Sequence, residues 1–511
     1  MSTEEIAVPH ETVRAVERTA DGASVKGLKS NVLGPVASVT IGVASMAPAY
    51  SLAATMGLLA ATVGLGAPFL LIVSFVPMIL VASGFYYMNR ADPDCGETFI
   101  WTTRAFGAPV GWVIGFASVL ASALVMGNLG QVAALYMLEL FGLHSLAAST
   151  FWVTLFGVAW IVAVGVLVAV GIEVSKRAQY VLMTVQIGVL VTFAVWALIK
   201  GVVTRPEGYE PIRLSHFFTT HLSGSQLAAG VTIAVFLYWG WDTVVAVNEE
   251  SEDSSRMPGL AAAASAVLTA ALLILVVTAS QAYHGAAFLA DNPDDVLAPL
   301  ARDVMGQPWD KLMLLCVSTS AIATILTTLL TLSRQTLSMA AHKGLPSVFG
   351  RISAKHMTPF WGTVIIVLFS VAWFVFATWF NVNLLYDAIT GIGMIICLTY
   401  GGTGLAAAVY YRKELLKSGR NFIMMGLAPA VGAFLFALIL IKVLTDLWNP
   451  DNSYSQILGL GGAFFISAGT IVLGIILMIV LWVVMPAFFR RRPETWPGEG
   501  EPIPYADERV T

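Results

Sequence analysis

The chain has 511 residues, of which 57% are hydrophobic and only 11% charged, with a net charge of -4 and a mean hydropathy of +0.80. A soluble protein of this length needs far more charge to cover its surface, which excludes a single large soluble core. Three scattered cysteines (Cys95, Cys316, Cys397), seven histidines without ligand spacing and the lack of a basic domain leave no case for a disulfide scaffold, a metal site or a nucleic-acid partner.

In chain order, residues 1–33 form a polar segment without the apolar core of a signal peptide, so insertion is left to the first apolar stretch. Twelve apolar stretches follow, at 34–60, 66–88, 107–138, 150–171, 178–200, 226–247, 259–283, 311–333, 359–380, 384–409, 422–446 and 462–486. Many run 18 residues or more with hardly a charge, the length that crosses ~30 Å of hydrocarbon. The expected fold is therefore an all-α polytopic membrane protein with about twelve transmembrane helices. With the N-terminus in the cytoplasm, only Lys200, Arg205, Arg213, Arg302, Lys311 and Lys442 of the 27 Lys and Arg residues fall outside. Even parity then puts both termini, including the polar tail 487–511, on the cytoplasmic side of the cell membrane.

Span one contains Gly42-Val43-Ala44-Ser45-Met46-Ala47-Pro48-Ala49-Tyr50. Pro48 removes an amide donor and clashes with the carbonyl four residues back, so it either kinks the helix or interrupts it at a site. Span six contains Tyr238-Trp239-Gly240-Trp241-Asp242. A carboxylate in hydrocarbon costs roughly 3 kcal/mol on insertion scales, so Asp242 faces the bundle interior or a cavity. There it meets a substrate or proton, or it bonds the amides of a broken helix. Gly240 is an unwinding point, and Tyr238, Trp239 and Trp241 offer an aromatic wall for an amine. The two breaks lie five spans apart. That placement suggests inverted repeats over 34–200 and 226–409, with 422–486 outside them.

Between these landmarks, Glu97 and Arg104 are spaced to share a helix face as a gate ion pair. Span eight repeats hydroxyls at Thr324, Thr327, Thr328 and Thr331, for helix packing or for an ion, with Thr324 the ion-site candidate. Asn128, Gln131, Gln179 and Gln186 are amides that need partners inside the bilayer. The loop 334–358 is basic and amphipathic.

The order of these segments, with Pro93-Asp94-Cys95-Gly96-Glu97-Thr98-Phe99, Gly171-Ile172-Glu173-Val174-Ser175 and Ala341-His342-Lys343-Gly344-Leu345-Pro346, resembles the amino acid–polyamine–organocation superfamily, in particular its bacterial amino acid permeases. The resemblance covers about 34–486. It implies a leucine-transporter-like 5+5 inverted repeat plus two helices, with spans one and six discontinuous. It also implies alternating access without ATP hydrolysis, driven by a proton or sodium gradient or by exchange; no cofactor is expected, and H+ is the expected coupling ion, with Na+ as the alternative. Substrate contacts are then expected from Ser45, Met46, Ala47, Pro48, Ala49 and Tyr50 of span one, and from Tyr238, Trp239, Gly240, Trp241 and Asp242 of span six. Two departures stand out. Pro48-Ala49-Tyr50 replaces the usual glycine-rich carboxylate nest, and Gln186 best matches the place of a proton-coupling lysine in span five. Asp242, Glu97 or Glu173 would then titrate, or Na+ would sit at Thr324.

The expected function is secondary active transport of an amino acid or related small amine, as a proton-coupled symporter. The alternative is a carrier or exchanger of a polyamine or other carboxylate-free amine. A membrane enzyme would need a nucleophile, metal cluster or cofactor motif near a membrane face. Oligomeric state is not legible.

Overall fold

The computed structural model describes residues 26–218, 221–292 and 295–490, apart from the side chains of 172–175. The polar ends 1–25 and 491–511 lie outside the described residues. The first half of the chain forms α1 (Pro35–Met46), α2 (Pro48–Val63), α3 (Ala67–Ala91), α4 (Thr98–Phe106), α5 (Ala108–Leu140), α6 (His144–Ala147), α7 (Thr150–Val170) and α8 (Ile172–Thr204). The middle forms α9 (Gly224–Leu237), α10 (Thr243–Ala246), α11 (Met257–Ala290), α12 (Leu297–Met305), α13 (Lys311–Ala341), α14 (Phe360–Phe380) and α15 (Asn383–Tyr410). The rest forms α16 (Gly419–Asn421), α17 (Ala428–Leu447), α18 (Gly462–Val484) and α19 (Pro486–Phe489). A two-residue hairpin, β1 (Gln456–Ile457) with β2 (Leu460–Gly461), joins α17 to α18.

Among the described residues, ten helical stretches are long and apolar enough to cross a membrane, which makes this a multi-pass membrane protein. One of them, Pro35–Ala91, has 57 residues and holds α1, α2 and α3. As a straight helix it would run about 85 Å, far beyond one crossing, and it reverses at Gly64–Gly66, where Gly64 takes a φ of 56°. Helix position follows apolar exposure. The apolar window of α13 is 78% buried and that of α18 only 17%, so α13 is central and α18 peripheral. Val166, Val181, Leu368, Phe369 and Val483 point outward from α7, α8, α14 and α18, where lipid replaces water as the neighbour.

Small residues set the close crossings. A Cβ at Gly157 of α7 would lie 2.7 Å from the Gly130 carbonyl oxygen of α5, so these helices touch backbone to backbone. Span eight differs from expectation. The sequence ends it near Ser333, where Arg334 reads as a loop charge, yet α13 continues to Ala341. Arg334 is fully buried and donates from Nε and Nη2 to Glu250 at 2.9 and 3.0 Å. A two-pronged carboxylate partner makes burial of the guanidinium tolerable. The expected loop 89–106 likewise contains α4.

Candidate functional site

The interruption in span one falls one residue earlier than the proline suggests. Ala47 separates α1 from α2 with φ 49° and ψ 56°, a left-handed conformation that a residue with a Cβ adopts reluctantly. Pro48 is the first residue of α2, where its missing amide and fixed φ suit the start of a helix. It is therefore not an interior kink. The Ala47 amide donates to Ala44 O at 3.2 Å, and the Tyr50 amide donates to Ser320 Oγ of α13 at 3.2 Å. Ser51 Oγ donates to Met46 O at 3.0 Å.

Span six stops at Leu237 and resumes as the short α10. Gly240 has a φ of 105°, and a Cβ there would lie 2.7 Å from Ser45 O. Only glycine combines that conformation with that approach. The breaks are joined again by a 2.7 Å hydrogen bond between Ser45 Oγ and Thr243 Oγ1. Tyr400 of α15 accepts the Gly240 amide at 3.2 Å and donates to Asp242 Oδ1 at 2.6 Å. One phenol thus satisfies a freed amide and orients the carboxylate. Sequence reasoning missed Tyr400, whose only signal is a phenol within an apolar span.

A central pocket of about 40 Å³ lies between the breaks. Of the residues singled out in the sequence, Ser45, Met46, Ala47, Tyr50, Trp239, Gly240, Asp242, Thr324 and Thr328 line it, together with Phe236, Ser122 and Gln335, which were not anticipated there. Neither Pro48 nor Ala49 is on its wall. Tyr238 and Trp241 turn away from it. Tyr238 donates to Leu71 O of α3 at 3.0 Å and packs on Phe75. Trp241 is fully buried against Phe85 and Tyr400. In an irregular segment no helical period tells which side chains face inward. The lining contains a carboxylate and no Lys, Arg or His among the described residues.

The expected Glu97–Arg104 pair is not formed. Arg104 bonds Asp92, while Glu97, wholly buried, accepts from Gln335 Nε2. Glu97 sits at the left-handed position ahead of α4, with φ 37°, so it does not share a helix face with Arg104. Gln335 lines the pocket, which places Glu97 directly behind the wall that Asp242 shares. Glu173 lies in the first turn of α8, with its side chain outside the described residues. Thr324 Oγ1 lies 2.9 Å from both Ala44 O and Ser320 O, with one proton to share between them. Gln179, not Gln186, reaches this junction, donating to Ala323 O at 2.8 Å. Gln186 is buried away from the pocket, and both its side-chain polar atoms lack a partner among the described residues.

On one side of this pocket lies a wide cavity of about 660 Å³, lined by the far end of α2, the start of α9, and parts of α15 and α17. Phe236 lines both cavities. The opposite side is sealed by residues 26–34. Val32 and Leu33 amides donate to Glu250 O at 2.8 and 3.0 Å, and Leu28 packs with Cys95, Leu337 and Ile352. Asp94, Cys95 and Glu249 bring possible metal donors within 4.8 Å of one another. Lys26 occupies that place: Nζ is 2.8 Å from Asp94 Oδ2, 3.7 Å from Cys95 Sγ and paired with Glu249. His342 Nε2 is 2.9 Å from Asp94 Oδ2.

The chain is 26% identical over 300 residues to the vacuolar cationic amino acid transporter 4 of Arabidopsis thaliana, covering 55% of this chain and 47% of that protein. It is 22% identical over 188 residues to the branched-chain amino acid permease BcaP of Lactococcus lactis subsp. cremoris (strain MG1363), covering 34% of this chain and 40% of the relative. The matches thus span less than half the length of either relative. A family model for amino acid permeases matches residues 33–484, from the N-terminal seal through α18, and the chain belongs to that family.

Proposed function

We propose that this protein is a secondary active transporter of an amino acid or closely related small amine, working by alternating access and driven by protons. Family membership is consistent with secondary transport of small polar solutes across a membrane. The observation that carries the substrate reading is Asp242, a buried carboxylate on a pocket wall that offers no cationic side chain among the described residues. A desolvated carboxylate needs a cation or a proton, and an ammonium-bearing solute supplies one. The two relatives are named for cationic and branched-chain amino acids, which share the α-ammonium and α-carboxylate groups.

Alternating access is supported by the asymmetry of the two sides, with a wide vestibule at one end and a sealed face at the other. In this reading the sealed face, with both termini, is cytoplasmic, and spans one to five and six to ten form inverted repeats within about twelve crossings. Protons are favoured over sodium because the carbonyls a cation would use already have donors: Ala44 O accepts the Ala47 amide, and Ala323 O accepts Gln179 Nε2. Glu97, behind Gln335 and off the pocket wall, is then the carboxylate that carries the proton, while Asp242 takes the ammonium.

Uptake by the purified protein in liposomes under imposed pH or Na+ gradients tests this. Uptake driven by an inward pH gradient is expected, and uptake driven only by Na+ overturns the proton assignment. A second reading, transport of a carboxylate-free amine, is favoured by Pro48, which removes an amide where a carboxylate nest would need one. Comparing an amino acid with its decarboxylated amine separates the two.

A further inference from the structure

Three backbone amides around the break in span one are already committed, and a fourth position has none. Pro48 has none, the Ala47 amide donates to Ala44 O, and the Tyr50 amide donates to Ser320 Oγ. The Ser51 amide returns to Ala47 O at 2.8 Å. A substrate carboxylate that relied on the usual nest would therefore find most of it spent.

A side-chain donor in the same turn remains. Tyr50 is the third residue of α2 and only 2% exposed. It lines the central pocket, and its hydroxyl has no hydrogen-bond partner among the described residues. Buried hydroxyls are nearly always paired, and one without a partner on a residue that lines a pocket is a place for a ligand atom. The surroundings favour an anion. Tyr50 stands at the N-terminal end of the 16-residue α2, where the helix dipole is positive. Its backbone is pinned to α13 through Ser320, which fixes where the ring starts. Asp242 lies on the same pocket wall and takes the opposite charge.

We propose that the Tyr50 hydroxyl is the hydrogen-bond donor that holds the substrate's carboxylate, in place of the amides lost at Pro48 and around it. The inference rests on the amino acid reading above and assigns the two ends of the substrate: ammonium toward Asp242, carboxylate toward Tyr50. The proline and the tyrosine are then two halves of one change, the first closing the nest and the second replacing it. A carboxylate-free amine has no group for this donor.

Binding to the purified full-length protein is measured with two probe pairs, L-leucine with isoamylamine and L-lysine with cadaverine. Wild type is expected to bind at least one of the amino acids more tightly than its amine. Tyr50→Phe, which deletes one oxygen, should weaken that amino acid roughly ten- to hundredfold and leave the amine unchanged, so the discrimination ratio collapses. A merely structural hydroxyl would alter both probes together. Tyr50→Phe with unchanged amino acid affinity overturns the proposal while the amino acid reading stands. Wild type that binds an amine and neither amino acid overturns both. Should Tyr50→Phe fail to fold, 3-fluorotyrosine incorporated at position 50 replaces it. Its fluorine resonance should shift with the amino acid and not with the amine, and equal shifts with both overturn the proposal.

Discussion

At the scale of single residues, the site depends on two positions that permit no ordinary substitution. Gly240 is the contact point of the breaks, and alanine there would meet Ser45 O at 2.7 Å with a φ of 105°. Backbone strain of this kind costs about 1–3 kcal/mol, and the steric conflict adds to it because the neighbour is backbone, not a flexible side chain. Gly240→Ala is therefore expected to lower the melting temperature in detergent and to abolish ligand-dependent stabilisation; a normal thermal shift on adding substrate would show that the breaks tolerate separation. Asp242→Asn keeps the shape and an acceptor for Tyr400 but removes the charge. Folding should be retained and substrate affinity should fall by about tenfold or more. Unchanged affinity would remove Asp242 from the substrate site.

At the scale of elements, both broken helices were legible in the sequence, because proline and glycine beside a buried acid conflict with a continuous helix. What was not legible was the direction of side chains within the breaks. Tyr238 and Trp241 pack on α3 and α15, while Phe236, still inside the regular α9, reaches the pocket. The Arg334–Glu250 pair hid a helical turn for a related reason. A charge reads as loop until its partner, distant in sequence, is known. Gln179 was passed over for Gln186 because the rotation of span five is set by packing that one sequence does not display. Phe236 gives this level its own test. Its ring is shared by the central pocket and the 660 Å³ vestibule, so Phe236→Ala should join them. Truncating a buried aromatic costs about 3–5 kcal/mol when a cavity remains, but here the space opens toward an existing one, so stability should fall less. Release of prebound substrate from liposomes should accelerate by about tenfold, read by dilution of a radiolabelled ligand. An unchanged release rate would mean that some other side chain limits exit.

At the scale of the molecule, alternating access requires that the side opposite the vestibule be held shut and still able to open. Residues 26–34 provide the closure, with Lys26 buried between Asp94 and Glu249. Burial alone would lower the Lys26 pKa, but Asp94, Cys95 and Glu249 raise it well above the usual lysine range. Burial likewise would raise Asp94, and Lys26 with His342 holds it well below the usual carboxylate range. The signs fix the pH window. The Asp94 contribution is complete above its unfolded pKa and is lost as pH falls through the depressed value. The Lys26 contribution is complete below its unfolded pKa and is lost as pH rises through the raised one. Neither of these two contributions should therefore change between about pH 5 and 9. Removing Lys26 leaves two buried carboxylates without their shared cation, a loss of about 3–5 kcal/mol, which is enough to shift the balance toward an open face. Cys95 reports on this directly. It is wholly buried, and burial first, then Glu249, raises its thiol pKa, while Lys26 lowers it. By charge alone, Lys26→Ala would make Cys95 less reactive, since a thiolate is the attacking form. Faster maleimide labelling of Cys95 in a Cys316→Ala, Cys397→Ala background is therefore a signal of opening that electrostatics cannot mimic. An increase of about tenfold or more is expected, and labelling that stays as slow as in the Lys26 protein would show that Leu28 and Leu33 hold the face closed without the ion pair.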